Sequence, residues 1–182
     1  MLMNGFLKSF DSLVDRIDNP GSAFEVGCGE GELSIRLARR GIRASGVDIA
    51  PEAIAEARKR VLSAGVHVNL ATGSIYELDV ELNRADLVVC CEVLEHLEDT
   101  GAALDALHAL CGRWLITSVP REPIWRVLNL ARGKYVSELG NTPGHVRHWS
   151  SDKFLALLKT RFRVVECRTP LPWTMALCEP LR

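Results

Sequence analysis

The sequence predicts an α/β domain built on a doubly wound, mostly parallel seven-stranded sheet with helices on both faces. Three observations carry this expectation. Short apolar runs alternate with amphipathic helical patterns along the chain, the order that produces parallel strands joined by helices. The runs are continuously apolar, as strands covered on both faces are. Near the end, Phe162–Cys167 and Thr174–Cys178 are joined by Pro170-Leu-Pro172 with no room for a helix, so the last strand should pair antiparallel.

The elements follow in order. Phe6, Phe10, Leu13 and Ile17 recur at helical spacing, so the chain opens with an amphipathic helix, which Asn19-Pro-Gly21 breaks. Ser22–Val26 is the first strand, followed by a helix over Glu30–Arg40 that Gly41 ends. Ile42–Asp48 is the second strand, and Pro51 starts a helix carrying Ile54, Ala57 and Val61. Val66–Ala71 is the third strand and Ala85–Cys91, apolar apart from Asp86, the fourth. Leu104, Leu107 and Cys111 mark the next helix, and Arg113–Ser118 is the fifth strand. From Arg121 to Trp149 runs a polar and aromatic insertion, in which Pro123 starts a short helix with Ile124, Trp125 and Leu128 on one face. A helix over Asp152–Lys159 precedes the last two strands. The length of 182 residues suits one domain with a lid-like insertion at about 121–149.

Composition narrows the function. With 47% apolar and 25% charged residues the chain reads as a soluble globular protein. A formal net charge of −1 implies no bulk attraction to nucleic acid. No apolar run reaches the roughly 18 residues of a membrane span, and the first residues lack the pattern of a signal peptide. Cys28, Cys90, Cys91, Cys111, Cys167 and Cys178 form no C-x-x-C pair, so they read as free thiols in a reducing cytoplasm.

The segment Phe24-Glu-Val-Gly-Cys-Gly-Glu-Gly-Glu32 is the most informative. A strand ends in a glycine turn and runs into a helix, whose unpaired N–H groups face whatever lies over the turn. Asp48 closes the second strand, where an acidic residue can hydrogen-bond ribose hydroxyls. The spacing is G-x-G-x-G, not the dinucleotide G-x-G-x-x-G, and Glu25, Glu30 and Glu32 would repel a pyrophosphate. A ligand with a ribose, an amine and a positive charge, and no phosphate, fits better. S-adenosylmethionine is such a ligand.

Four segments then carry a resemblance: Phe24 to Gly31, Gly46-Val-Asp48-Ile49, Ala71-Thr-Gly-Ser74-Ile75, and Asp86-Leu-Val-Val-Cys-Cys-Glu-Val-Leu-Glu-His96. In this order the chain resembles the class I S-adenosylmethionine-dependent methyltransferases over nearly its whole length. The resemblance implies a Rossmann-like fold and S-adenosylmethionine as cofactor. It implies that Glu25 and the turn through Gly27, Cys28, Gly29 and Gly31 hold the methionine end. Asp48 would take the ribose hydroxyls, Ile49 and Ile75 would flank adenine, and the backbone around Cys91 would pass near the sulfonium. Ser74 stands where many relatives have an aspartate facing the adenine amino group.

Glu92, Glu95 and His96 follow the fourth strand. Small-RNA 2′-O-methyltransferases and ubiquinone-pathway O-methyltransferases look similar here, with Glu-x-x-Glu-His. Those residues with His145 could bind a divalent ion or simply pair locally. The local reading is preferred, so no metal is assigned and activity without added metal is expected. The insertion is the natural cover for an acceptor, with Trp125 and Arg126 as candidates to meet it. A positioned imidazole can take the proton of an oxygen acceptor, which makes His145 and His148 the candidate catalytic residues. Five Lys or Arg (Arg121, Arg126, Arg132, Lys134, Arg147) stand in the insertion against Glu122 and Glu138. This balance suits an acidic substrate or a solvated lid. The expected function is methyl transfer to a small-molecule acceptor, at oxygen by preference. The alternatives are a metal-assisted RNA 2′-O-methyltransferase and a non-catalytic S-adenosylmethionine-binding subunit. Neither nucleic acid nor a membrane is an expected partner, and the oligomeric state is left open.

Overall fold

Seven apolar segments form strands: β1 (Ser22–Val26), β2 (Arg43–Asp48), β3 (Val68–Thr72), β4 (Ala85–Cys91), β5 (Cys111–Pro120), β6 (Phe162–Arg168) and β7 (Trp173–Pro180). In this computed structural model, which describes residues 2–135, 139 and 141–182, they lie in the order β3-β2-β1-β4-β5-β7-β6. The chain moves outward from β1 to β2 and β3, then returns to the other side for β4 and β5. Strand β1 therefore pairs in parallel with both β2 and β4. The crevice over their carboxyl ends is the switch point at which doubly wound sheets take ligands. Strand β7 runs antiparallel between β5 and β6, as the short proline-rich join requires.

Helices α1 (Leu2–Val14), α2 (Glu32–Arg39) and α3 (Pro51–Ala64) cover one face; α5 (Thr100–Leu110) and α7 (Ser151–Leu158) cover the other. The period of two along β4 serves both. Leu87 and Val89 join Phe10, Leu37 and Ile54 in one core. Val88 and Cys90 join Leu104, Leu107 and Phe154 in the second. Each fully buried Leu or Phe contributes about 1.5–3 kcal/mol relative to exposure, so the cores dominate the ion pair Arg36–Asp11 that ties α2 to α1 and the pair Arg40–Asp15 just beyond their ends. Half-exposed pairs of that kind are worth about 0–1 kcal/mol each.

Several boundaries differ from expectation for physical reasons. Helix α2 begins at Glu32, not Glu30, because Gly29 and Gly31 hold φ of 49° and 80°, outside the helical region. Cys111 opens β5 opposite Ala85 instead of closing α5. Ile17 lies beyond α1 yet remains buried. A four-residue helix α4 (Val80–Asn83), capped by Asp79, which accepts from Glu81 N–H and Leu82 N–H, is too short to show a period. Pro123 precedes α6 (Ile124–Ala131) as anticipated. Glu138, counted in the insertion's charge, lies outside the described residues. Among those described, no helix is long and apolar enough to cross a membrane.

Candidate active site

The glycine turn owes its shape to two neighbours. Gly27 N–H and Cys28 N–H both donate to Val47 O, at 2.8 and 2.9 Å, which folds the turn over the end of β2. Gly29 N–H donates to Asp48 Oδ2 at 2.8 Å, and Ala50 N–H to Oδ1 at 2.9 Å. Asp48 is thereby fixed between the turn and the start of α3, with lone pairs left for a ligand. Gly27 holds φ of 71°, and a Cβ there would lie 2.2 Å from Val93 Cγ2. Gly27→Ala should therefore cost roughly 2–5 kcal/mol through left-handed strain and overlap. Gly29 also has positive φ but open space around it, so Gly29→Ala should cost only about 1–2 kcal/mol. Thermal melting of both variants checks the difference.

A crevice of about 810 Å³ opens here, lined among others by Gly27, Asp48, Ile49, Ser74, Ile75 and His96. Its size suits a nucleoside with an amino-acid tail. Ile49 is 75% exposed, an apolar side chain waiting at the rim. Ser74 Oγ accepts from Tyr76 N–H at 3.4 Å, which leaves its own proton to donate. Tyr76 OH donates to Asp99 O at 3.0 Å, joining two walls of the crevice.

The other residues expected near the cofactor sit behind this surface. The Glu25 carboxyl is buried under the turn and accepts from Ser34 Oγ at 2.5 Å. Burial pushes it up to about 8, with the charges of Asp48 and Glu32 adding to the effect. Burial likewise pushes the Cys28 thiol up to about 12 and raises the Cys91 thiol, so neither is a thiolate at neutral pH. Gly31 caps α2.

Toward the insertion the crevice meets a polar cluster. Val146 N–H and Arg147 N–H both donate to Glu95 O, at 2.9 and 3.1 Å, and so bring His145 to the turn after β4. Glu95, His96 and His145 each present a ligand atom, all within 4.8 Å of one another. Glu95 is 1% exposed, and among the described residues neither of its carboxylate oxygens accepts a hydrogen bond. Burial first, and the Glu92 charge second, push its carboxyl far above the usual range. His96 Nδ1 lies 3.0 Å from Gly144 O. A carbonyl only accepts, so Nδ1 carries a proton and Nε2 is the nitrogen left for a ligand. Burial, then the charges of His96 and His148, lower His145 to about 4. Glu92, expected with these three, is held elsewhere. Its φ is 60°, and its carboxylate accepts from Ser118 Oγ at 2.8 Å and Trp173 Nε1 at 2.6 Å.

His148 is outside the trio, with Nδ1 3.4 Å from Glu122 Oε1. Trp125 stacks on His145 at 5.9 Å and tilts against Trp173. Its Nε1 donates to Thr142 Oγ1, while Arg126 donates within the insertion to Leu139 O. Sequence reading missed Trp173, Glu122 and Tyr76. Trp173 and Tyr76 were isolated aromatics, and Glu122 showed no spacing to any partner.

A profile of the family described as "Methyltransferase domain" matches residues 23–113. The chain is 33% identical over 129 residues to a ubiquinone biosynthesis O-methyltransferase of Xanthomonas axonopodis pv. citri (strain 306), covering 68% of this chain and 54% of that protein. It is 34% identical over 134 residues to the protein of that name from Xylella fastidiosa (strain 9a5c), covering 71% and 54%. The chain spans about half the length of these curated relatives. In fold it is similar to magnesium protoporphyrin IX methyltransferase from Synechocystis PCC 6803 with bound SAH, with a TM-score of 0.75 and 24% identity over 97% of this chain and 84% of that one.

Proposed function

Because the chain belongs to the class I S-adenosylmethionine-dependent methyltransferase family, we propose that it transfers a methyl group from S-adenosylmethionine to an oxygen of a small-molecule acceptor. The crevice over the carboxyl ends of β1 and β4 carries this reading. It runs from Asp48 and Gly27 to His96, and so joins a nucleoside site to a polar cluster. Asp48 would accept from the ribose hydroxyls, Ile49 and Ile75 would enclose adenine, and the Ser74 hydroxyl would accept from the adenine amino group. The turn from Gly27 to Gly31 would let the methionine end come close to the backbone, while the Gly27, Cys28, Gly29 and Gly31 N–H groups hold the turn itself in shape. Glu25 would act from below by holding α2 through Ser34.

Transfer is an in-line displacement that needs near-attack positioning and exclusion of water. We assign the cover to the single domain's insertion at about 121–149, with Trp125 beside the acceptor. The names of the relatives support oxygen as the methylated atom. The free cysteines support a reducing, cytoplasmic setting.

The unpartnered Glu95 carboxylate favours a second element, a divalent cation. One carboxylate and two imidazoles within reach of each other suit such an ion, and a carbonyl on His96 Nδ1 is the usual support for a ligating ring. A cation held by Glu95, His96 and His145 would lower the pKa of an acceptor hydroxyl. This reading replaces the expectation of activity without metal. It does not bring RNA with it, because the net charge stays near −1 and Arg126 is engaged inside the insertion.

Calorimetry and a transfer assay test the proposal together. Asp48→Ala should weaken S-adenosylmethionine binding by roughly 1–3 kcal/mol, the scale of a lost charge-assisted hydrogen bond. Methyl-labelled cofactor should label phenols or catechols. Tight NAD binding, or an unchanged affinity in Asp48→Ala, would sink the site assignment. Binding without turnover on any acceptor would favour a non-catalytic subunit.

A further inference from the structure

Two segments besides the glycine turn wall the crevice. One is the single helical turn after β3, Ile75–Glu77, which Ser74 caps by accepting from Tyr76 N–H at 3.4 Å. The other is the start of α5. There Asp99 Oδ1 accepts from Ala102 N–H at 2.9 Å, and Asp99 O accepts from Ala103 N–H at 3.1 Å. Ser74, Tyr76, Asp99 and Ala102 all line the crevice. The Asp99 carbonyl, already fixed as part of a helix, also accepts from Tyr76 OH at 3.0 Å. The Tyr76 side chain, 47% exposed, is therefore a bar tied at both ends. Its backbone N–H is on the Ser74 hydroxyl, and its phenol is on the opposite segment. A single hydrogen bond of this kind shifts an equilibrium about 2- to 10-fold. Forcing extra atoms into a filled site costs more, about 10- to 100-fold. The bulk of the ring is thus the larger effect, and the bond to Asp99 keeps the ring in place.

We propose that Tyr76 determines which nucleobase the crevice accepts: tied to Asp99 O, it closes the space beyond the adenine amino group and excludes bases substituted there. The proposal rests on the cofactor reading above, in which the Ser74 hydroxyl accepts from that amino group, and it adds what limits the space beyond. A substituent on the amino nitrogen leaves one N–H, which can still donate to Ser74 Oγ. Such a ligand keeps the hydrogen bond and differs only in the room it needs. Discrimination against it therefore measures the bar and not Ser74.

Calorimetry on the full chain tests this with S-adenosylhomocysteine and its N6-benzyl derivative. The parent protein should bind the benzyl derivative about 10- to 100-fold more weakly. Tyr76→Ala should bring the two affinities to within about 3-fold of each other, chiefly by improving the benzyl derivative. Tyr76→Phe keeps the ring and loses the tie, so its gap should narrow by about 2- to 10-fold. It also covers the case in which Tyr76→Ala does not fold. A merely structural role for Tyr76 would weaken both ligands alike and leave the gap unchanged. An unchanged gap in Tyr76→Ala overturns the proposal, as does a parent protein that binds both ligands equally. A Tyr76→Phe gap equal to that of the parent overturns the bond to Asp99 as the element that closes the site. Normal binding of S-adenosylhomocysteine with an unchanged gap sinks the proposal alone. A parent protein that binds neither ligand sinks the cofactor reading and the proposal with it.

Discussion

Replacing His145 with alanine is expected to lower turnover about 10²-fold or more, with cofactor affinity close to that of the parent protein. The magnitude follows from ligation, since even outer-shell partners of a metal are worth about 10–100-fold. The affinity should hold because Asp48, Gly27 and Ile49, the residues proposed for the nucleoside, line a crevice to which His145 does not contribute. The sequence pointed to His145 as a proton acceptor. Burial lowers the imidazole to about 4, which makes it a weak base but a neutral ring ready to ligate. The rate should therefore show no inflection near the ordinary imidazole value of ~6.5 that belongs to His145. A chelator should abolish activity in the parent protein, and Mg²⁺ or Mn²⁺ should restore it. The same ions should not rescue His145→Ala. Full activity in the presence of chelator would remove the cation and return His145 to a packing role against Trp125.

The second large effect is on stability. Without bound ligands, the protein should melt at progressively lower temperature as pH rises from about 5 to 9. Glu25 moves from an ordinary 4.5 to about 8 through burial, and burial also raises Glu92 and Glu95. Folded chains then keep protons that unfolded chains release. Stability from these groups is fully present below about 4.5 and is lost as pH climbs through their folded values. His145 works in the opposite limb. Its folded value is depressed, so its contribution is lost as pH falls from about 6.5 toward 4. Glu95→Gln removes one ionisable group while keeping its shape. It should raise the midpoint at pH 9 by roughly 3–8 °C, as ~2 kcal/mol would in a chain of this size. A divalent cation should flatten the alkaline limb of the parent protein and leave that of Glu95→Gln unchanged. A midpoint that rises between pH 5 and 9 would show that the buried carboxyls are not the controlling groups.

Local chemistry made much of this molecule readable. The glycine turn, Asp48 at the end of β2 and the continuous apolar strands are properties of neighbouring residues, so they survive in a linear reading. Pro170-Leu-Pro172 left no space for a helix, and β7 is antiparallel. Contacts between distant segments were less accessible. Glu95 and His145 meet because two backbone N–H groups bind the Glu95 carbonyl, and backbone partners leave no mark in side-chain spacing. Glu92 looked equivalent to Glu95 from the Glu-x-x-Glu-His pattern. Its left-handed φ of 60° turns it instead toward Ser118 and Trp173, a residue 81 positions away. The pairing of Glu122 with His148 depends on an isolated bridge between Arg121 and Trp149, too brief to carry a period.

The bonds from Val146 N–H and Arg147 N–H to the Glu95 carbonyl make the insertion an interchangeable part. Main-chain groups fasten it at that point, with the Arg147 guanidinium on Glu98 O beside them, so the exposed Val146 side chain is free to vary without loosening the attachment. Loops on rigid scaffolds tolerate exchange for this reason. A segment of different sequence that kept those two amides and His145 would dock against the same carbonyl and present a new surface beside the cluster. The nucleoside half, built on β1, β2 and the turn before α2, would not register the change. Divergence of acceptor choice could then proceed by replacement of one module, with the cofactor half inherited intact.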